Sequence, residues 1–397
     1  MGQEWLFEFL KGTSKFFLNP ILYFSLLLAA YIGVTRVKKE RKYFSVRAQN
    51  AYFELKQLLP IGLIIGLCLS VLSVLVVLVV PMELVIYVSF IAILGSLLFK
   101  TRLLSPVYTV GFGILLSIIS LYQKWDFFLF SQSNIDRETY IFPTAIILLG
   151  FLLVAEGILI QKNGVKGTSP RLKKSKRGQS IGVHISERVW LVPLFLFIPH
   201  GVLSIPIEGW PAFTVGNQTY SLILVPFLIG FKQEIVGMHP AFAVKAVGKH
   251  IVGLGIIITL SAVAAYFLPV AAIASVLVAM IGREWISKRQ KTKEKNETIY
   301  FSRKNNGVMI LGIVPDSPAD KMELKVGELI TKVNNILVHD KWELYKALQR
   351  NSAHCKLEVL DIHGEVRFVQ RALYEGDHHE LGLLLIQEKQ FKGNAAV

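Results

Sequence analysis

The feature that most constrains this chain is a series of apolar runs, each close to the length of a membrane-crossing helix, that fills the sequence up to Gly282. A helix needs about 20 apolar residues to cross the hydrocarbon core of a bilayer. The runs predict eight or nine transmembrane helices, at residues 16–34, 58–80, 84–99, 103–122, 141–161, 190–205, 219–231, 251–267 and 269–282. Because 250–282 is too long for one span and Pro269 interrupts it, its two halves are predicted to form a tight hairpin.

Composition divides the chain into a membrane part and a small soluble part. Only 18% of the residues are charged, against about 25% in a typical soluble protein. Hydropathy falls abruptly after Gly282. The predicted fold class is therefore an α-helical polytopic membrane domain followed by a small α+β domain. The predicted parts are an amphipathic segment (1–15), a multi-span domain (16–282), a charged cytoplasmic linker (283–298), the small domain (299–388) and a tail (389–397).

The distribution of Lys and Arg predicts which side of the membrane each loop occupies. Three segments are strongly basic, namely 35–57, 161–189 and the stretch after Gly282, whereas 206–218 carries no Lys or Arg. Basic loops stay in the cytoplasm. With nine spans, an even number separates each basic segment from the next, which predicts a cytoplasmic C-terminal domain. The N-terminus would lie outside unless the first run is re-entrant, and 219–231 and 269–282 could each be half-helices.

The formal net charge of +15 does not indicate a nucleic-acid partner. The cations lie in short loops beside apolar runs, and no stripe of Lys and Arg interleaved with aromatic residues occurs. We expect these loops to attract anionic membrane lipids. Cys68 and Cys355 belong to no CxxC pair, so no metal and no cofactor is predicted.

Two ionisable residues fall inside the apolar runs. Glu156 lies near the end of the fifth run and His200 lies in the sixth. Such residues are suspected of function, but we expect Glu156 to reach Lys162 or water, and His200 to form a helix contact.

Local signals in 307–335 predict short strands, a capped helix and a tight turn. Ser317 and Pro318 are placed to begin a short helix, and Asn334-Asn335 suits a left-handed turn. A second helix is predicted over 341–350 with Asp340 as its N-cap.

The segment GVMILGIVPDSPADKMELKVGELITKVNN, residues 307–335, resembles the bacterial PDZ family in its circularly permuted form. The resemblance implies a peptide-binding groove at a sheet edge beside one helix. Glu328 stands where the family usually has Asp. The groove is predicted to include a carboxylate-binding loop and two helix residues, which are Leu381, Gly382, Leu383, Leu384, Lys341 and Tyr345. The alternative is that 381–385 is only a closing core strand.

Motifs for catalysis are missing from the sequence. It contains no HExxH, no GxxxxGK[ST] and no GNSGG-like loop, so no enzyme activity is predicted. The alternatives left open are a transporter with an accessory PDZ domain, an unrecognised intramembrane protease, and a PDZ scaffold of another pathway.

The whole arrangement of many spans, a charged linker and a C-terminal PDZ domain resembles the MinJ family of cell-division topological determinants in Gram-positive rods. This resemblance implies an adaptor between a DivIVA-like marker of poles and septa and the ATPase MinD, which acts with MinC. It also implies enrichment at septum and poles.

Overall fold

The computed structural model describes residue 10 and residues 12–123, 137–175, 177–199, 213–215, 218–351, 354–372 and 381–386. Most of the predicted amphipathic segment 1–15, together with His200 and the tail 389–397, lies outside these residues.

Apolar helices dominate the described part of the chain before residue 300. They are α1 (Pro20–Phe44), α2 (Phe53–Leu58), α3 (Pro60–Leu75), α4 (Met82–Leu97), α5 (Pro106–Tyr122), α6 (Arg137–Asn163), α7 (Pro240–Phe267) and α8 (Val270–Asn296). Five stretches are long and apolar enough to cross a bilayer: α1, α2 with α3, α6, α7 and α8. Large apolar side chains such as Leu67 and Leu260 are exposed on their outer faces, as suits contact with lipid. The predicted fold class is confirmed.

The hairpin predicted around Pro269 is confirmed, because α7 ends at Phe267 and α8 begins at Val270.

Glycines let helices α6 and α7 approach closely. Gly157 of α6 meets Gly248 of α7, where a Cβ on either glycine would lie within 2.8 Å of the other residue's carbonyl oxygen. Small residues permit this backbone contact in membranes.

Two of the predicted helical spans, 190–205 and 219–231, are wrong. The described residues there belong to the long strands β2 (Ser180–Pro199) and β4 (Gln218–Ile235). The strands pair antiparallel from His184↔Ile235 to Pro199↔Tyr220. Strand β1 (Ser169–Lys174) extends the sheet on the β2 side, and the short β3 (Phe213–Val215) lies on the β4 side. Helices cover both faces of the hairpin, so its strands are apolar on both faces and show no alternation.

The free edge of β2 is satisfied by helix α3. Gly62 and Gly66 face the strand, and a Cβ on Gly66 would lie 2.2 Å from the carbonyl oxygen of Pro193. One turn further on, Ser70 Oγ accepts the Phe195 N–H at 3.0 Å and Ser73 Oγ donates to the Phe195 carbonyl at 2.5 Å. Backbone groups at membrane depth need such partners, because lipid offers none.

Glu156 is buried in a partnered site, and the expected contact with Lys162 or water is not what the structure shows. Its carboxylate accepts hydrogen bonds from Arg283 Nη2 at 3.0 Å and Ser105 Oγ at 2.6 Å. The Arg283 side chain is also buried. Helices α6 and α8 and the start of α5 are therefore joined by one neutralised ion pair.

The C-terminal domain is a small sheet with two helices. Its elements are β5 (Val308–Ile313), α9 (Pro318–Lys321), β6 (Leu329–Val333), β7 (Ile336–Leu337), α10 (Lys341–Gln349), β8 (His354–Leu360), β9 (Val366–Ala372) and β10 (Leu383–Leu385). The strand order is β10-β5-β6-β8-β9, with β7 paired to β6.

The local signals in this domain are confirmed. The Ser317 side chain accepts the Asp320 N–H at the start of α9, and Asp340 accepts the Glu343 N–H at the start of α10. Asn334 and Asn335 both have positive φ, at 49° and 65°, as the predicted left-handed turn requires.

Candidate peptide-binding site and its docking on the membrane domain

The predicted carboxylate-binding loop lies at the end of the sheet where an added strand would begin. Residues 381–382 lead directly into β10, the strand that ends the order of the sheet, and β10 pairs antiparallel with β5. A peptide that extends a sheet binds along such an edge.

Backbone bonds to α9 fix the shape of this loop. The Leu381 carbonyl accepts the Ala319 N–H at 2.9 Å, and the Gly382 carbonyl accepts the Val314 N–H at 2.8 Å. Gly382 has φ +79°, and a Cβ there would lie 2.2 Å from Ser317 Cβ. Only glycine fits this position without strain. Among the described residues, neither the Leu381 nor the Gly382 N–H donates a hydrogen bond.

Helix α10 supplies the second wall of the predicted groove. Lys341 and Tyr345 lie one turn apart on the same face, with Lys341 Nζ 5.4 Å from the centre of the Tyr345 ring. Tyr345 packs against the apolar core of the domain, which also contains Leu381 and Leu383. The structure therefore brings Tyr345 and these two leucines to one core.

Leu384 does not take part with its side chain. Leu383 and Leu385 point into the core of the small domain, whereas Leu384 points to the opposite face of the sheet. There it is 2% exposed and packs in a cluster with Phe44 and Ala48 of the membrane domain. Because side chains alternate along a strand, Leu384 could offer a peptide only its backbone.

The face that carries Leu384 is docked on the end of the membrane domain. Leu311 of β5 and Phe301 are both fully buried in the same cluster. The Gly182 N–H of β2 donates to the Phe301 carbonyl at 2.9 Å. A Cβ on Gly182 would lie 2.4 Å from Leu311 Cδ1, so the two domains meet there without a gap.

Two histidines border this interface. His184 is 1% exposed, its Nδ1 lies 2.9 Å from Thr168 Oγ1, and its ring lies 4.8 Å from that of Phe301. Burial lowers the pKa of His184 to about 3. Burial also lowers the pKa of His239, whose Nε2 lies 3.1 Å from the Val326 carbonyl oxygen. Both rings are neutral at physiological pH.

Sequence reasoning missed this docking surface, although one signal was present. The run Val308-Met309-Ile310-Leu311 is apolar at every position, whereas a strand with one wet face alternates. Ile310 serves the core of the small domain and Leu311 serves the interface.

The departure at Glu328 has a structural explanation. Its side chain is 2% exposed and accepts two hydrogen bonds from Arg367 Nη2 of β9, at 2.8 and 3.0 Å. It also accepts the Lys325 N–H at 2.8 Å. This carboxylate links the turn before β6 to strand β9, and it is not available to a ligand.

The described residues around this site offer neither a metal-binding cluster nor a reactive thiol. Among the described residues no group of three or more His, Cys, Asp or Glu could hold a metal ion. Burial raises the pKa of the Cys355 thiol to about 12, so that side chain is a core residue and not a nucleophile.

Comparison with known proteins covers nearly the whole chain. The PDZ domain family model matches residues 309–361, which includes β5 to β8 but not the loop at 381–382. The cell division topological determinant MinJ of Bacillus subtilis is 35% identical over 389 residues, covering 98% of this chain and 97% of that protein. A probable cell division topological determinant MinJ of Lacticaseibacillus paracasei is 24% identical over 384 residues, or 94% of this chain and 97% of that protein. With this end-to-end similarity, a helical membrane domain and a C-terminal PDZ domain, the chain belongs to the MinJ family of cell division topological determinants.

Proposed function

We propose that this protein is a non-catalytic membrane scaffold for division-site selection, which connects a DivIVA-like polar and septal marker to MinD and so to the MinCD inhibitor. The observation that carries the proposal is the 35% identity to the Bacillus subtilis determinant over 98% of the chain. Membership of a family of topological determinants supports interaction with division proteins, and the two named partners come from the family resemblance.

We further propose that the PDZ domain lies on the cytoplasmic side. The three basic segments meet at one end of the molecule, because Ser169 Oγ donates to Glu40 Oε1 at 2.8 Å and the linker-adjacent Phe301 accepts from Gly182 at 2.9 Å. The two strands of the β2–β4 hairpin begin and end at the same end of the membrane domain. The hairpin therefore preserves the even number of membrane crossings that two helices would have given. Basic segments gathered at one end favour the cytoplasm.

The PDZ groove is proposed to capture the C-terminal segment of one division protein. Its support is the glycine-dependent loop at Gly382, whose N–H has no partner among the described residues, beside the Lys341–Tyr345 face of α10. Confinement to the membrane raises the local concentration of the domain, so that a weak peptide contact becomes effective. Enrichment at septum and poles would follow from the marker.

The scaffold proposal is tested by placing the chain in a Bacillus subtilis strain that lacks its own MinJ. We expect a fluorescent fusion to collect at septa and poles, to lose that pattern when the DivIVA-like marker is removed, and to restore the position of division. Uniform membrane fluorescence with no effect on division would overturn the proposal.

The groove is tested separately with two glycine variants that share a positive φ. Gly382→Ala and Gly364→Ala both place a side chain at positive φ, at 79° and 86°, but Gly364 has open space around it and lies outside the groove. The positive φ is expected to cost about 1 kcal/mol in each variant. Gly382→Ala also has to displace Ser317 and is expected to cost more, so thermal unfolding is used to verify that both variants are folded. Only Gly382→Ala should abolish recruitment of a partner in a two-hybrid assay, and equal recruitment by both variants would contradict the groove.

A further inference from the structure

A cavity of about 130 Å³ opens beside the PDZ end of the membrane domain, between α1, β1 and the β2–β4 hairpin. Four cations line it, two from α1, one from β1 and one from β4: Arg36, Lys39, Arg171 and Lys232. We call this the α1–β1 pocket. Its volume is well above what one water molecule needs.

The pocket carries an excess of positive charge. Arg36 is balanced by Glu40 and Glu54, at 2.8 and 3.1 Å, and Lys232 is paired with Glu187 at 2.8 Å. Within the part of the chain that the structure describes, neither Lys39 nor Arg171 forms an ion pair. Lys39 and Arg171 therefore face the cavity without an ion-pair partner of their own, and Glu187, which also lines the cavity, is paired with Lys232.

Buried hydrogen-bond donors without a partner also indicate an anionic ligand. Arg36 is 6% exposed, yet its Nη2 is buried and has no partner among the described residues. The Nε of Arg171 is also buried without a partner there. Buried donors are nearly always paired, and a guanidinium suits the oxygens of a phosphate group.

Aromatic residues place the pocket at the surface of the bilayer. Tyr31 and Phe99 also line it, with ring centroids 4.2 Å apart and about half of each side chain exposed. Tyr31 precedes Lys39 by two turns of α1, or about 12 Å. Aromatic side chains collect at the membrane–water interface, so the two rings lie where headgroups meet acyl chains and the cations lie on the headgroup side.

We propose that the α1–β1 pocket is a binding site for one anionic phospholipid of the leaflet at the PDZ end. The phosphate contacts Arg36, Lys39 and Arg171, and the acyl chains pass along Tyr31 and Phe99. A soluble phosphate would use the same cations but has no use for the aromatic wall. The site is separate from the PDZ groove and does not depend on the function proposed above.

Native mass spectrometry of the full-length protein, released from vesicles with equal amounts of phosphatidylglycerol and phosphatidylcholine, tests this proposal. The double variant Lys39→Gln/Arg171→Gln removes the two unpaired cations, and Arg36 is kept because its loss would break its buried ion pairs with Glu40 and Glu54. The control is Lys291→Gln/Lys295→Gln, which removes the same charge from exposed positions on α8. Thermal unfolding in detergent verifies that all three proteins are folded.

We expect the wild type and the control to retain one phosphatidylglycerol. The pocket variant should retain it roughly 25-fold less, since each of the two removed cations contributes about fivefold. Equal retention by all three proteins would overturn the proposal and show that diffuse charge is sufficient. Displacement of the lipid by millimolar inorganic phosphate would overturn the lipid assignment and make free phosphate the ligand. If the double variant does not fold, the single variant Lys39→Glu repeats the test, because Lys39 is exposed. Undiminished lipid retention by Lys39→Glu would also overturn the proposal.

Discussion

A buried charge network holds together the end of the membrane domain on which the PDZ domain docks, and Glu54 is its centre. Glu54 accepts from Arg36 Nη1 at 3.1 Å and from Arg188 Nη1 at 2.9 Å. Arg36 also donates to Glu40 at 2.8 Å, and Glu40 accepts the Ala48 N–H. Glu54 and Arg188 are each 1% exposed. The network joins α1, α2 and β2 directly behind the interface that Ala48 forms with Leu384.

The substitution Glu54→Gln keeps the shape of the side chain but removes its charge, which leaves the buried Arg188 without its carboxylate partner, while Arg36 keeps Glu40. Each hydrogen bond to a charged group contributes about 1.5–3 kcal/mol, and breaking a buried ion pair costs about 3–5 kcal/mol. We therefore expect a loss of roughly 3–5 kcal/mol. For a chain of this length, that corresponds to a decrease in Tm on the order of 5–10 °C.

The assay is thermal unfolding of the purified protein in detergent, followed by tryptophan fluorescence. Glu234→Gln is the matched control, because Glu234 pairs with Lys173 at 2.6 Å but the two side chains are 43% and 57% exposed. Exposed pairs contribute less than about 1 kcal/mol, so the control should change Tm by less than about 2 °C. Equal changes for the two variants would refute the reasoning that burial makes the Glu54 network important.

Three further outcomes follow from the packing and the titration of single residues. Gly66→Val should prevent α3 from covering the edge of β2, because its Cβ would meet the Pro193 carbonyl at 2.2 Å, and deuterium exchange across β2 would rise. Leu311→Glu places a charge in the domain interface without entering the PDZ core, so it should undock the PDZ domain and make the linker sensitive to protease while PDZ strand amides stay protected. The folded pKa of His184 is about 3, below its ordinary value, so its contribution to stability is complete above about pH 6.5 and is lost as pH falls toward 3. Between pH 7.5 and 5.5 the wild type should lose about 1.4 kcal/mol more than His184→Gln, with the half-buried His239 contributing equally in both proteins; identical pH profiles of Tm would contradict this assignment.

Predictions from local chemistry succeeded where a residue's effect on the backbone depends only on residues next to it in sequence. The caps at Ser317 and Asp340 satisfy N–H groups within three residues, and Pro269 cannot continue a helix wherever the chain goes. The loop at Gly382 was instead predicted from the PDZ resemblance, and the structure gives this glycine a φ of +79°, which glycine adopts without strain. Peptide binding there stays a prediction, because a groove shows its ligand only when one is bound.

Predictions failed where the deciding partner lies far away along the chain. For Glu156 the nearest cation in sequence, Lys162, was the expected partner, but the carboxylate is paired with Arg283, which is 127 residues away. The contact of the Leu384 side chain with Phe44 was also not predicted, because the alternation of β10 turns it away from the core of the small domain. Neither contact can be predicted from the residues adjacent in sequence.

The sequence alone determined that this protein enters a membrane and where the helix caps and turns lie, because transfer to lipid and capping depend on residues close together. The motifs of residues 307–335 identified the PDZ domain by resemblance. Only the tertiary structure decided that 190–199 and 219–231 form a hairpin and not two helices. A segment that is apolar on every side has no period to separate the two choices. Its conformation is set by neighbouring elements. Here α3 lets the backbone of β2 approach at Gly66 and supplies hydrogen-bond partners to the unpaired edge of β2 from Ser70 and Ser73.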